Sequence, residues 1–339
     1  MTPRQLVYET LNLTNKNHRA PRQLWTLGWA NIHHGKEVEA IYRDYPDDIV
    51  SAPATYSEAG IASGNGYVVG TSVDAWGCIF ENLQDGIHGQ VKEVLVPPTD
   101  TEWEDTSRVH FPYEWLSFSV DEVNDFCKAS DKFVNAVACP RPFEQLQFIR
   151  GTEELFLDLL AKPKGMMALL DKMHALYCDL MEKWAKTDVD ALMFMDDWGA
   201  QHSLLISPAL WREIFKPLYK DYVNIAHAKG KKIFMHSDGH MLEIIPDIIE
   251  LGVDALNAQI FCMGVDNLAP YKGKITFWGE MDRQHTMPYG SMDDVYNAVK
   301  SVIDNLWANG GCIAQCEFGA NTKPENVRAM FEAWDKILG

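Results

Sequence analysis

From about residue 133 to its end, the chain alternates short runs of β-branched and aromatic residues with longer segments of helical period, the rhythm that specifies parallel strand–helix–strand units. Strands are expected at 133–139, 189–195, 232–235, 254–258, 275–278 and 312–315. Helices are expected at 153–162, 164–185, 208–229, 241–251, 292–308 and 324–338, with Gly230, Gly252 and Gly310-Gly311 as stops and Pro324 suited to a first turn. The first 130 residues are less regular, but 22–27 and 49–51, with 66–70 as a further candidate, bring the strand count near eight. The expected fold is therefore α/β, a (β/α)8 TIM barrel that forms a single domain over residues 1–339 with an irregular N-terminal segment. The stretches 60–70 and 97–108 read as loops or edge hairpins of that domain.

A barrel of 339 residues needs one large core, and a hydrophobic fraction of 47% with 11% aromatics, spread along the whole chain, supplies it. A formal net charge of −18 repels phosphate and so argues against nucleic acid and anionic membranes as partners. No run of eighteen apolar residues occurs, and the N-terminus lacks the basic-then-apolar order of a secretory signal, so the protein is expected to stay in the cytoplasm. The seven cysteines are odd in number, widely spaced and without a CxxC pair, which predicts reduced thiols.

In a parallel barrel every strand ends on the same face, so residues that follow the strands converge on one mouth however far apart they lie in sequence. Those positions hold Cys139 and Arg141, then Asp196 and Asp197, then His236 and Asp238, then Gln259, then Glu280, Asp282, Arg283 and Gln284, then Cys316 and Glu317. A single Asp after a strand usually caps a helix, and a single His is usually structural. Six strands delivering polar groups in succession point to a site.

His236 and Cys316 are typical zinc ligands, and Asp238 adds an oxygen two residues on. The alternative is that His236 and Asp238 act as general acid–base and orienting groups without a metal. Of the adjacent Asp196 and Asp197 only one is expected to face the mouth, the other capping a turn near Trp198-Gly199. Arg141 and Arg283 suit a substrate anion or a rim salt bridge. Asp74 and Trp76 form a second polar–aromatic cluster, read evenly as a binding wall or as core. The aromatic-rich helices around Trp211–Tyr222 and Tyr296–Trp307 suit either a homodimer face or ordinary core.

With these residues in view, the chain resembles the uroporphyrinogen decarboxylase superfamily, in particular its cobalamin-dependent methyltransferases and O-demethylases. The resemblance runs from about residue 20 to the end. It is carried by Asp74-Ala-Trp-Gly-Cys-Ile-Phe-Glu-Asn82, Met195-Asp-Asp-Trp-Gly-Ala-Gln201, Leu205–Pro217, Phe234-Met-His-Ser-Asp-Gly239, Phe277-Trp-Gly-Glu-Met-Asp282 and Thr322–Met330. It implies a commonly dimeric barrel and, in the methyltransferase branch, a zinc held by His-x-Cys plus a distant Cys. His236 matches the first ligand and Cys316 the distant Cys, whereas Asp238 stands where the middle Cys would be.

A carboxylate in place of a thiolate makes the metal a harder Lewis acid, better matched to oxygen than to a thiol acceptor. The expected function is therefore O-demethylation: methyl transfer from a small methoxylated or methylated donor to cobalamin on a separate corrinoid protein. In that scheme Asp197 or Glu317 protonates the leaving oxygen. Substrate contacts are assigned to Asp74, Trp76, Arg141, Gln201, Gln259, Glu280 and Asp282, and the metal to His236, Asp238 and Cys316. The runner-up is a metal-free decarboxylase. The segment Arg22-Gln-Leu-Trp-Thr-Leu-Gly-Trp29 weighs against it, offering aromatics where arginines for a polycarboxylate are needed. A third possibility, from another class, is a noncatalytic ligand-binding barrel.

Overall fold

The computed structural model describes residues 1–16, 18–57 and 60–339. In chain order its strands are β1 (Arg22–Thr26), β2 (Ile49–Ser51), β3 (Gly70–Val73), β4 (Ile79–Asn82), β5 (Gln90–Glu93), β6 (Phe133–Asn135), β7 (Ala191–Met195), β8 (Lys232–Ser237), β9 (Ala255–Ala258), β10 (Thr276–Trp278) and β11 (Cys312–Phe318). Eight of them form one sheet in the order β1-β11-β10-β9-β8-β7-β6-β2, with every pairing parallel. The fold is a nearly closed, TIM-like barrel with helices between its strands.

The seam between β1 and β2 is closed largely by side chains. Asp48 N donates to the Arg22 carbonyl at 2.9 Å, while the Asp48 and Asp47 carboxylates accept the amides of Arg22 and Leu24, both at 2.8 Å. Carboxylates thus stand in for the carbonyls that a longer β2 would have offered, and Arg19 holds Asp48 through both guanidinium nitrogens at 2.6 and 2.8 Å.

Strand side chains alternate between two environments. Ile49, Phe133, Ala191, Phe234, Ala255, Trp278 and Ile313 point into the barrel, where Val7 of the helix Pro3–Leu11 joins them. Most of these lie at or near the strands' N-terminal ends, so that helix plugs the bottom and leaves the opposite end to polar residues. The intervening residues, among them Leu24, Leu192, Met235, Leu256 and Cys316, pack outward under the helices.

Several helices and strands differ from expectation at their ends for identifiable reasons. The helix expected at 208–229 is two, Pro208–Ile214 and Lys216–Ala228, because Pro217 has no N–H to continue the ladder. Strand β6 ends at Asn135, although Ala136 N still donates to Ala191 O and Pro140 accepts from Met195 N, both at 2.9 Å. The segment 66–70 is not a barrel strand. Residues 70–93 form a separate antiparallel sheet, β3-β4-β5.

Trp211, Tyr219 and Tyr222 are fully buried, which identifies the aromatics of that helical region as core. All seven cysteines are free thiols. Among the described residues no helix is long and apolar enough to cross a membrane.

Candidate metal centre and active site

The C-terminal end of the barrel gathers Asp197, His236 and Asp238, whose potential ligand atoms all lie within 4.8 Å of one another. His236 is on the inward face of β8, and its Nε2 stands 3.6 Å from Asp197 Oδ1 and 3.7 Å from Asp238 Oδ1. The two carboxylates come from loops that run in contact. Gly199 N donates to Asp238 O at 3.0 Å, His240 N to Ala200 O at 2.8 Å, and Asp238 N to Asp197 Oδ1 at 2.9 Å. Glycine is required where they touch: a Cβ on Gly239 would sit 2.0 Å from the Gly199 carbonyl oxygen.

The orientation of the imidazole is fixed from behind. Asn257, on the inward face of β9, donates its amide nitrogen to Trp278 O and, at 3.1 Å, to Gln315 Oε1. Its oxygen therefore accepts from His236 Nδ1, at 2.6 Å. With the proton on Nδ1, a neutral ring turns the Nε2 lone pair toward the two aspartates, the arrangement that metal-binding histidines use.

A single guanidinium ties the remaining acids together. Arg283 pairs with Asp238 Oδ2, bonds Glu317 Oε1 at 3.0 Å and stands 3.5 Å from Glu280 Oε1. Although burial opposes its charge, these carboxylates raise its pKa. Burial, reinforced by repulsion from Glu317, Asp238 and Asp197, keeps Glu280 protonated well above the usual carboxylate range. Burial also raises Asp197, with Asp238 adding to the effect and His236 opposing it, and raises Glu317 against the pull of Arg283.

Two recesses flank the cluster. One, of about 230 Å³, has Gln259, Cys262, Glu280, Met281 and Arg283 among its walls. The other, of about 500 Å³, opens under the small sheet between Phe80, Val91, Phe148 and Leu205 and reaches Asp197 and Glu144.

The metal set inferred from sequence needs one correction. Cys316 does not join His236 and Asp238, because the alternation of β11 turns Gln315 and Glu317 inward and Cys316 outward into the strand–helix core. Burial, with Glu280, Glu317 and Asp47 nearby, raises its thiol well above the ordinary range. Asp197 is the third residue of the cluster whose ligand atoms come together with those of His236 and Asp238.

Among the assigned substrate contacts, Trp76 is core, 1% exposed and packed against Phe111, Trp115 and Tyr177. Asp74 is occupied with its own turn, accepting from Trp76 N at 2.9 Å and Cys78 N at 2.7 Å. Asp282 caps the chain ahead of it by accepting the amides of Gln284, His285 and Thr286. Arg141 pairs with Glu144 at 3.1 Å, and Gln201 exchanges two amide hydrogen bonds with Gln284 across the rim. Gln259 and Glu280 line the first recess, as do Gln201 and Asp282.

Asp197 is the member of its pair that faces the mouth. Asp196 does not cap the Trp198-Gly199 turn. It accepts from Phe143 N at 3.1 Å, Glu144 N at 2.8 Å and Tyr219 Oη at 2.6 Å, at the start of the helix Pro142–Arg150. Arg283 is held in a salt-bridge cluster with Asp238 and Glu317 inside the mouth. Sequence reasoning missed Asn257 and Gln315. Their signal was a polar side chain at an inward position of an apolar strand, as in Ala255-Leu-Asn-Ala258.

The uroporphyrinogen decarboxylase (URO-D) family model matches residues 103–337. Among solved structures, a methyltransferase from Methanosarcina mazei matches over 100% of both chains with a TM-score of 0.71 and 14% sequence identity. No curated protein sequence matches.

Proposed function

We propose, from the premise that this chain belongs to the uroporphyrinogen decarboxylase family, that it is a methyltransferase of the O-demethylase type. Its donor is a small methoxylated or methylated compound, and its methyl acceptor is a corrinoid carried by a separate protein. The observation that carries the reading is the Asp197–His236–Asp238 cluster, set beside carboxyl groups able to supply a proton. The likeness of fold to the Methanosarcina methyltransferase supports it.

The donor set fits a divalent cation. His236 presents Nε2, Asp197 and Asp238 present oxygens, and Asp238 Oδ1 is buried without a hydrogen-bond partner among the described residues. One nitrogen and two carboxylates suit zinc or another borderline-to-hard ion. When bound, the ion would supply Lewis acidity toward an ether oxygen.

The protein's own groups would do the rest. Asn257 holds His236 in one tautomer, and Arg283 fixes Asp238 and Glu317 around the reacting centre. The recesses would place the donor beside the cluster. In a decarboxylase of polycarboxylates, the substrate would meet Asp197, Asp238, Glu144, Glu280 and Glu317, with Arg141 and Arg283 already paired to them. That excess of acid favours the demethylase.

The test is to mix the purified protein with zinc, cob(I)alamin and a methoxylated aromatic, and to follow methylcobalamin spectroscopically. Formation is expected in the wild type, with a loss of about 10²-fold or more in His236→Ala. Metal-free protein of undiminished activity, or an unaffected His236→Ala, would remove the reading.

A further inference from the structure

Glu280 is the buried acid at the mouth that its surroundings leave unsatisfied. Its side chain is 3% exposed, and neither carboxyl oxygen has a hydrogen-bond partner among the described residues. Arg283 is committed by hydrogen bonds to Asp238 and Glu317, and approaches Glu280 Oε1 only to 3.5 Å. An ionised Glu280 would be a third anion against one guanidinium, on a side chain only 3% exposed, so the proton stays. Burying a carboxylate without partners is far more unfavourable than burying the neutral acid. Glu317 and Asp197 already accept hydrogen bonds, from Arg283 and from Asp238 N. They are poorer proton sources than Glu280.

We infer that Glu280 is the proton donor to the leaving oxygen, and that the recess it lines with Gln259 takes the uncharged, oxygen-bearing end of the substrate. A neutral carboxyl offers one O–H donor and one carbonyl acceptor, and the Gln259 amide offers one of each kind. Together they complement an ether, phenol or alcohol. A carboxylate in the same recess would meet Glu280 and Asp282, with Arg283 already committed to Asp238 and Glu317.

The inference rests on the demethylase reading for its chemical step. In that step the C–O bond of the methyl ether breaks and its electron pair stays on oxygen. The methyl carbon forms its new bond with the electron pair of the reduced corrinoid nucleophile. The oxygen takes the Glu280 proton, leaving an alcohol or phenol and a Glu280 carboxylate that is reprotonated from water when the product departs.

Infrared difference spectroscopy tests the ligand class without turnover, using anisole, phenol and benzoate as probes. The wild type is expected to show a protonated carboxyl C=O band that is absent from Glu280→Gln, shifts with anisole or phenol and is unmoved by benzoate. No such band, or a band that moves with benzoate alone, overturns the inference.

Methyl transfer to cob(I)alamin tests the proton. Glu280→Gln keeps the size and neutrality of the side chain, so its melting temperature and KM should stay close to wild type. Its kcat should fall by about 10²–10⁴-fold with anisole but little with 4-nitroanisole, whose phenolate leaves without help. The loss of rate in the wild type as pH rises past the Glu280 titration should vanish in the variant. Equal slowing of both ethers sinks the proton transfer. A wild type whose band shifts with anisole but which transfers no methyl group sinks the demethylase reading and the proton step with it, leaving the ligand class standing.

Discussion

A neutral imidazole has one free nitrogen, and the partner of the protonated one decides which it is; here that partner is Asn257. Replacing it with leucine leaves both tautomers open and Trp278 O and Gln315 Oε1 without their donor. Asn257→Leu is expected to weaken zinc binding roughly 10–100-fold, read by competition with a chromogenic chelator. Asn257→Asp keeps an acceptor toward Nδ1 and should retain more of the affinity. Equal affinity in both variants and the wild type would show that the contact is only packing. None of this follows from the residue type alone, since an asparagine in mid-strand announces a buried polar contact without naming its partner. The partner is set by register, with His236 of β8 opposite Asn257 of β9.

At the scale of elements, the site depends on two loops that touch and one seam that closes. Gly239 has φ +77°, and a Cβ there would collide with the Gly199 backbone. Gly239→Ala is expected to destabilise by about 1–3 kcal/mol and to abolish metal binding while circular dichroism remains that of a folded barrel. Intact metal binding would show the loops to be independent.

At the seam, burial raises the Asp47 carboxyl to about 7, against the opposing Leu24 amide and Lys132. The unfolded chain releases that proton near 3.8. Folding therefore takes up a proton between these values, and this contribution weakens stability as pH rises from about 4 to about 7, by on the order of 4 kcal/mol at most. Asp47→Asn still accepts from Leu24 and should flatten that slope by about one proton in urea unfolding followed across the window. An unchanged slope would mean that Asp47 does not titrate there.

Over the whole molecule, hydrophobic periodicity was enough to find the barrel, because parallel strands buried on both faces read as short apolar runs between helical segments. It placed β2 and the helix Pro324–Leu338 on their observed bounds. The antiparallel sheet β3-β4-β5 was not legible, since its exposed, polar strands lack a period that separates them from loops. Convergence on the mouth was legible for Asp197, His236, Asp238, Glu280 and Glu317, which follow strand ends or sit in their last turns. Cys316 was misplaced because proximity to a strand end was read without the alternation that decides which side of the strand a side chain takes. That same alternation generates the central claim, a metal centre of one imidazole and two carboxylates without a thiolate. Cobalt(II) substitution followed by visible spectroscopy tests it most directly. Wild type and Cys316→Ala should bind with the same d–d bands and no thiolate-to-metal charge transfer, and His236→Ala should not bind. An intense charge-transfer band that disappears in Cys316→Ala would contradict the account.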